Sequence, residues 1–224
     1  MRSLLPLLAI LCLAFVAQPS EAVEVLHNYY SMQDDTEELA GNYPDIAIYS
    51  EHASSTGLGL EIFSVDVALN ITELSEEELA ALPTMYVDGV HHGNEGMSAE
   101  AAFLFLQDVL ERSAADPTYL EGKRLVVTPV MNADGYLQDC RNNWNGVDLN
   151  RNFPANGSAA QSASGPSPLS EPETHALVTY ITDRPTIAAI HTFHTSGGLI
   201  LRFPPLADQD WNFPRADIEA HRAI

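Results

Sequence analysis

The stretch VDGVHHGNEGMS, residues 87–98, decides how this chain is read. An apolar, strand-like lead-in runs into two adjacent histidines, a glycine and a glutamate. His92 and Glu95 stand three apart, and such a pair meets one metal ion when the backbone turns after a strand. Gly93 is expected to permit that turn, because a residue without Cβ tolerates conformations that others avoid. Zinc accepts imidazole nitrogen and carboxylate oxygen, and a catalytic site needs three protein ligands with one position left for water. The pair therefore implies a third ligand elsewhere. A His-x-x-Glu pair also arises by chance, as two polar residues at a strand end.

The other histidines are the candidates. His27 and His52 precede the motif, His175 lies in a helical pattern and is expected on the surface, and His221 is close to the end. His191 and His194 stand in AAIHTFHTSGGLILRF, at the exit of a second apolar strand. In parallel α/β sheets the carboxyl ends of strands gather ligands, so this location matches that of the first pair. A third strand, RLVVTPV (124–130), opens into NADGYLQDCRNNWNGVDLNRNFP (132–154). Arg141, Asp148, Asn150 and Arg151 fall here. A guanidinium with a neighbouring amide suits a carboxylate, which its planar fork holds by two bonds.

Around these motifs strands alternate with helices. LEIFSVDVAL (60–69), PTMYVDGV (83–90), TIAAIH (186–191) and GLILRF (198–203) are short, apolar and partly β-branched. The spacing predicts a helix over 98–114, with Ala102, Phe103, Leu106, Val109 and Leu110 on its buried face and Ser98 as its cap. A second is predicted over 170–183, opened by a Ser170/Glu173 capping box and burying Leu177, Tyr180 and Ile181. This order implies an α/β fold with a mixed, largely parallel central sheet flanked by helices. The Gly-, Ala-, Ser- and Pro-rich stretch 153–170 is a long loop, functional or disordered.

The chain has 224 residues, 46% of them hydrophobic, enough for one domain with a sizeable core. Net charge is −21, and Lys123 is the only lysine. That balance favours solubility and argues against nucleic acid or an anionic membrane as partner. Residues 1–22 read as a signal peptide: Arg2, then the apolar run 4–17, then Ser20-Glu21-Ala22 as a small-x-small cleavage site. The run is shorter than the roughly 20 residues that cross a membrane. A mature chain from Val23 keeps only Cys140, so no internal disulfide is expected in a secreted or periplasmic protein. Asn70-Ile71-Thr72 and Asn156-Gly157-Ser158 match the glycosylation tripeptide, a match that chance often produces.

Taken together, the segments resemble the M14 family of zinc metallocarboxypeptidases (carboxypeptidase A/B-like). HGNE (92–95) resembles the family's first metal motif. NADGY (132–136) resembles its Asn-Pro-Asp-Gly-aromatic turn, with Ala133 in place of proline. RNNWNGVDLNRNFP (141–154) resembles its substrate-binding run. GPSPLSEPETHAL (165–177) followed by FHTSGGLIL (193–201) resembles the approach to the third ligand. NYPDIAIYSEHASSTGLGLEI (42–62) is a looser match. The resemblance implies one Zn2+ held by His92, Glu95 and His194, with Asp148 orienting His92. Asn150 and Arg151 would clamp the terminal carboxylate of a peptide or protein substrate, and Arg141 would polarise the scissile carbonyl. His91 is then expected to be a strand residue pointing elsewhere, and His191 a buried strand histidine.

The family's general base is a glutamate far downstream of the third ligand. Thirty residues follow His194, with Glu219 their only glutamate, in the helix-like PRADIEAHRAI (214–224). The expectation is a partial catalytic domain over 23–224, incomplete at its C-terminal end, with zinc binding and little turnover. Two other readings share the motifs: a zinc amidohydrolase of the aspartoacylase and succinylglutamate desuccinylase type, and a non-catalytic peptide-binding pseudo-peptidase.

Overall fold

The computed structural model describes residues 27–55, 57–154 and 165–195. The signal-peptide reading (1–22), the strand 198–203, the helix-like stretch 214–224 and the Asn156 tripeptide lie outside the described residues, as do residues 155–164 of the long loop.

Among the described residues five strands form one sheet: β1 (Ala47–Ser54), β2 (Glu61–Ala68), β3 (Thr84–Asp88), β4 (Arg124–Thr128) and β5 (Ile187–Thr192). Their order is β1-β2-β4-β3-β5. β2 runs antiparallel to both neighbours, while β3 pairs in parallel with β4 and β5. The sheet is therefore mixed, and β2 alone among the described strands runs against the rest. β4 is buried at all five residues, as a central strand must be.

Helices cover both faces. α1 (Tyr29–Gly41) and α3 (Gly96–Ala115) lie on one side, and α5 (Pro172–Thr182) on the other. The short α2 (Glu76–Ala81) and α4 (Ala133–Leu137) fill connections. Period-two alternation divides the strands between two cores. Val65, Val67, Val87, Leu125 and Val127 pack with Ala102, Leu106, Val109 and Leu110 of α3. Ile62, Tyr86 and Val126 pack with Leu177 of α5. Each of the Val, Leu and Ile side chains contributes about 1.5–3 kcal/mol on burial. Phe103 is partly buried against a further cluster that includes Tyr29, Phe63 and Ala99, and Tyr180 and Ile181 are partly buried against the cluster around Leu177.

The predicted caps differ from the observed ones. α3 begins two residues before Ser98, with Glu95 at its N-cap. Ser98 instead lies inside the first turn, where its hydroxyl donates to Glu95 O (2.6 Å) and accepts from Val90 N–H (2.9 Å). α5 has Glu171 at its N-cap, and no capping box forms. Glu173 is fully buried instead, near Asn143 (3.4 Å). In both cases the polar groups serve tertiary contacts that local spacing does not encode.

Candidate metal centre

β3 and β5 lie side by side and point the same way, so their carboxyl ends open at one edge of the sheet. The chain leaving β3 turns at Val90, whose φ is +56°, a left-handed value strained for a β-branched residue. The expected turn at Gly93 forms as well: residues 93–94 turn the chain, and Glu95 N–H donates to His92 O at 3.0 Å. Gly93 is needed for a second reason: a Cβ there would lie 2.0 Å from Gly135 C and 2.3 Å from Cys140 O. The HGNE segment therefore rests backbone to backbone on the NADGY segment, and Gly93 N–H donates to Arg141 O at 3.2 Å.

This packing delivers His92 and Glu95 to the start of α3, where helix-end amides favour a carboxylate. His194 arrives from the end of β5. His92 Nδ1 lies 2.8 Å from Glu95 Oε1, and His194 Nδ1 lies 2.9 Å from Glu95 Oε2. One donor atom from each of the three residues lies within 4.8 Å of the others. Thr195 N–H also donates to Glu95 Oε2, at 3.0 Å. Burial alone would push the Glu95 carboxyl up. Hydrogen bonds from Thr195, His194 and His92 outweigh it and hold the carboxyl below its usual range. Burial lowers His194 despite Glu95, favouring the neutral ring.

Asp148 lies behind His92. Its Oδ1 is 3.2 Å from His92 Nε2 and accepts Asn150 N–H at 3.0 Å. Its Oδ2 accepts from Arg141 Nε (3.1 Å) and Nη2 (2.9 Å). Burial would raise the Asp148 carboxyl, but the Arg141 bonds and the charges of His92, Arg141 and Arg151 bring it below the usual range. Arg141 is 46% exposed, and its Nη1 lies 3.8 Å from Glu95 Oε1. Asn150 is exposed and Arg151 half-buried; Arg151 Nη1 donates to Asn150 O at 3.0 Å. The seven residues singled out in the sequence thus cluster around Asp148 and Glu95.

The remaining histidines separate from the centre. His91 is buried just beyond β3, with Nε2 3.1 Å from Asp88 Oδ2 and its ring between those of Phe153 and His194. Asp88 Oδ1 and His91 Nδ1 are buried without a hydrogen-bond partner. His191 is exposed rather than buried, because β5 presents exposed residues at all four inner positions. Its ring packs edge-on against Phe193, centroids 4.5 Å apart. His175 is exposed, as expected. His27 bridges Glu100 and Asp35, each at 2.9 Å.

Two supports escaped the sequence reading. Asp134, fully buried, accepts from Ser55 Oγ (2.8 Å), Gly57 N–H (2.7 Å) and Leu58 N–H (3.0 Å), tying the β1–β2 turn to the NADGY segment. Asn152 accepts Glu171 N–H (3.2 Å) and donates to Ser167 O (3.1 Å), fixing the run after Arg151. Their only sequence signal is membership of the quoted motifs.

Known proteins place the chain. It is 28% identical over 193 residues to "Carboxypeptidase SOL1" of Arabidopsis thaliana, covering 84% of this chain and 37% of that protein. It is 26% identical over 201 residues to "Carboxypeptidase D" of Anas platyrhynchos, covering 84% of this chain and 14% of that protein. The chain thus spans well under half the length of these relatives. Among solved structures, carboxypeptidase A from Helicoverpa armigera matches with TM-score 0.66 at 24% identity, over 79% of this chain and 47% of that one. Thrombin activatable fibrinolysis inhibitor matches with TM-score 0.70 at 20% identity, over 88% of this chain and 57% of that one. These likenesses speak for the fold. The pattern described as "Zinc carboxypeptidase" matches residues 32–222, and the chain belongs to that family.

Proposed function

We propose that the protein of which these residues form part is a zinc-dependent metallocarboxypeptidase that removes the C-terminal residue of peptides or proteins. The observation that carries this reading is the convergence of His92, Glu95 and His194 at the ends of two adjacent parallel strands. A neutral imidazole has one N–H. If a neutral His92 instead gives that proton to Asp148, it no longer donates to Glu95, and its Nδ1 lone pair faces Glu95 Oε1 at 2.8 Å, acceptor against acceptor. A cation among His92 Nδ1, His194 Nδ1 and Glu95 resolves that opposition, and two nitrogens with a carboxylate suit one Zn2+. Bound there, Zn2+ would supply Lewis acidity and would make water at the site acidic enough to ionise near neutral pH.

The chain's own residues supply the rest. Asp148 fixes the tautomer and angle of His92. Asn150 and Arg151 hold the substrate's terminal carboxylate, which makes the action exopeptidic. Arg141, exposed on its outer side, meets the developing oxyanion of the scissile carbonyl. These residues supply the metal ligands and the carboxylate clamp, and no general base is assigned among the described residues. Export through residues 1–22 belongs to the same proposal. The carboxypeptidase relatives favour neither the deacylase nor the pseudo-peptidase reading.

The test is to incubate the intact protein with a blocked peptide bearing a free or an amidated C-terminus. The reading expects release of one residue from the free peptide only, abolished by a chelator and restored by Zn2+. Cleavage of the amidated peptide at an equal rate would remove the carboxylate clamp from the account.

A further inference from the structure

The loop whose foot carries Arg141 ends in an exposed aromatic. Trp144 is 52% exposed, and Leu58 beside the turn residue Gly57 is 47% exposed. Exposed aromatics on flexible loops are ordinary, but this one is mounted rigidly. A Cβ on Gly57 would lie 2.1 Å from Trp144 Cγ, so the indole rests directly on the backbone of the β1–β2 turn. That turn is held from beneath by the three bonds to buried Asp134. The Trp144 loop is closed by Asn143 N–H donating to Val147 O (3.0 Å). It is also pinned to buried Glu171 by Asn143 Nδ2 (2.8 Å) and Asn145 Nδ2 (2.9 Å). Two buried carboxylates thus stiffen the platform on which a half-bare indole lies.

Its position relative to the metal centre follows from the topology. The β1–β2 turn stands at the same end of the sheet as the exits of β3 and β5, because β2 runs antiparallel to β4. From β2 to β3 is two strand steps, about 10 Å at about 4.8 Å per step. Three residues from Arg141 to Trp144 span at most about 10 Å as well. An extended peptide advances about 3.3 Å per residue, so about three substrate residues cover that distance.

We propose that Trp144, with Leu58, forms an outer subsite for an apolar or aromatic side chain about three residues upstream of the scissile bond of a peptide substrate. The inference rests on the carboxypeptidase reading. With the terminal carboxylate at Asn150 and Arg151 and the scissile carbonyl at Arg141, the upstream chain passes along the loop that ends in Trp144. The indole offers a flat face for ring stacking or aliphatic contact, already ordered before binding.

The test uses the intact protein and two blocked pentapeptides, one with Phe and one with Ser at the third position upstream of the scissile bond. Wild type is expected to prefer Phe about tenfold in kcat/KM, equivalent to about 1.4 kcal/mol. Trp144→Ala loses that preference and Trp144→Phe keeps most of it. The same peptides titrated calorimetrically into metal-free protein should show the same ratio in Kd. An equal Phe/Ser ratio in wild type and Trp144→Ala overturns the subsite and leaves the carboxypeptidase reading intact. Failure to cleave or bind any peptide overturns both. Protection of Trp144 from acrylamide quenching in a Trp211→Phe background would show another segment covering the indole and also overturns the subsite.

Discussion

Replacing Asp148 by Asn tests how the centre is held together. The change keeps the shape and removes the charge that faces both His92 Nε2 (3.2 Å) and the Arg141 guanidinium (2.9 and 3.1 Å). An amide oxygen can still accept from His92, but the amide nitrogen then confronts Arg141, donor against donor. Bonds to charged groups contribute about 1.5–3 kcal/mol each, and Arg141 is 46% exposed, so solvent screens its share. The larger effect falls on the buried His92. Loss of such a partner lowers metal affinity about 10–100-fold. The assay is Zn2+ dissociation measured by competition with a chromogenic chelator, with thermal unfolding of metal-free protein alongside. The expected result is weaker Zn2+ binding in that range and a modest shift in Tm. An unchanged Kd in a folded Asp148→Asn protein would refute the argument that Asp148 sets the metal site.

Three further perturbations separate packing, charge and ligation. Gly93→Ala drives a Cβ into Gly135 and Cys140 backbone atoms and should destabilise by at least about 1–3 kcal/mol, whereas Gly41→Ala, with nothing within 4 Å, should be neutral or better in the same thermal melt. Burial alone would raise the Glu171 carboxyl, but bonds from Asn143, Ser170 and Asn145 outweigh it and hold it low. Folding therefore binds protons less readily than the unfolded chain, and the stabilisation is full above pH about 4.3 and lost as pH falls further. Glu171→Gln should flatten that acid limb in urea melts across pH 3 to 6, and an unchanged limb would contradict the assignment. Glu95→Gln removes the carboxylate that both histidines face and should abolish stoichiometric Zn2+ binding measured by metal analysis after dialysis.

Most of the sheet was legible because its strands are apolar and flanked by turn residues. β2, β3, β4 and β5 match the stretches read at 60–69, 83–90, 124–130 and 186–191. β1 and α1 were not legible. β1 is an edge strand with Ser50, Glu51 and His52 along it, polar in the way edges are. α1 buries only Tyr29, Met32, Thr36 and Ala40, a stripe of helical period with two hydroxyls and one small residue, too weak to stand out. At the centre, residue identities were legible and their supports were not. Val90 adopts a left-handed φ that its residue type does not signal, since tertiary packing of its side chain overrides local preference. Asp134 and Asn152 act on groups 15 to 79 residues away in the chain, which no local pattern records.

The central claim is that His92, Glu95 and His194 hold one zinc ion. The most direct measurement is the metal content and X-ray absorption spectrum of the intact protein, purified without chelator, with His194→Ala as comparison. The account expects one Zn2+ per chain, two imidazole nitrogens and oxygen donors around it, and loss of the ion in the variant. Retention of zinc at full stoichiometry in His194→Ala, or a coordination shell without imidazole, would contradict it.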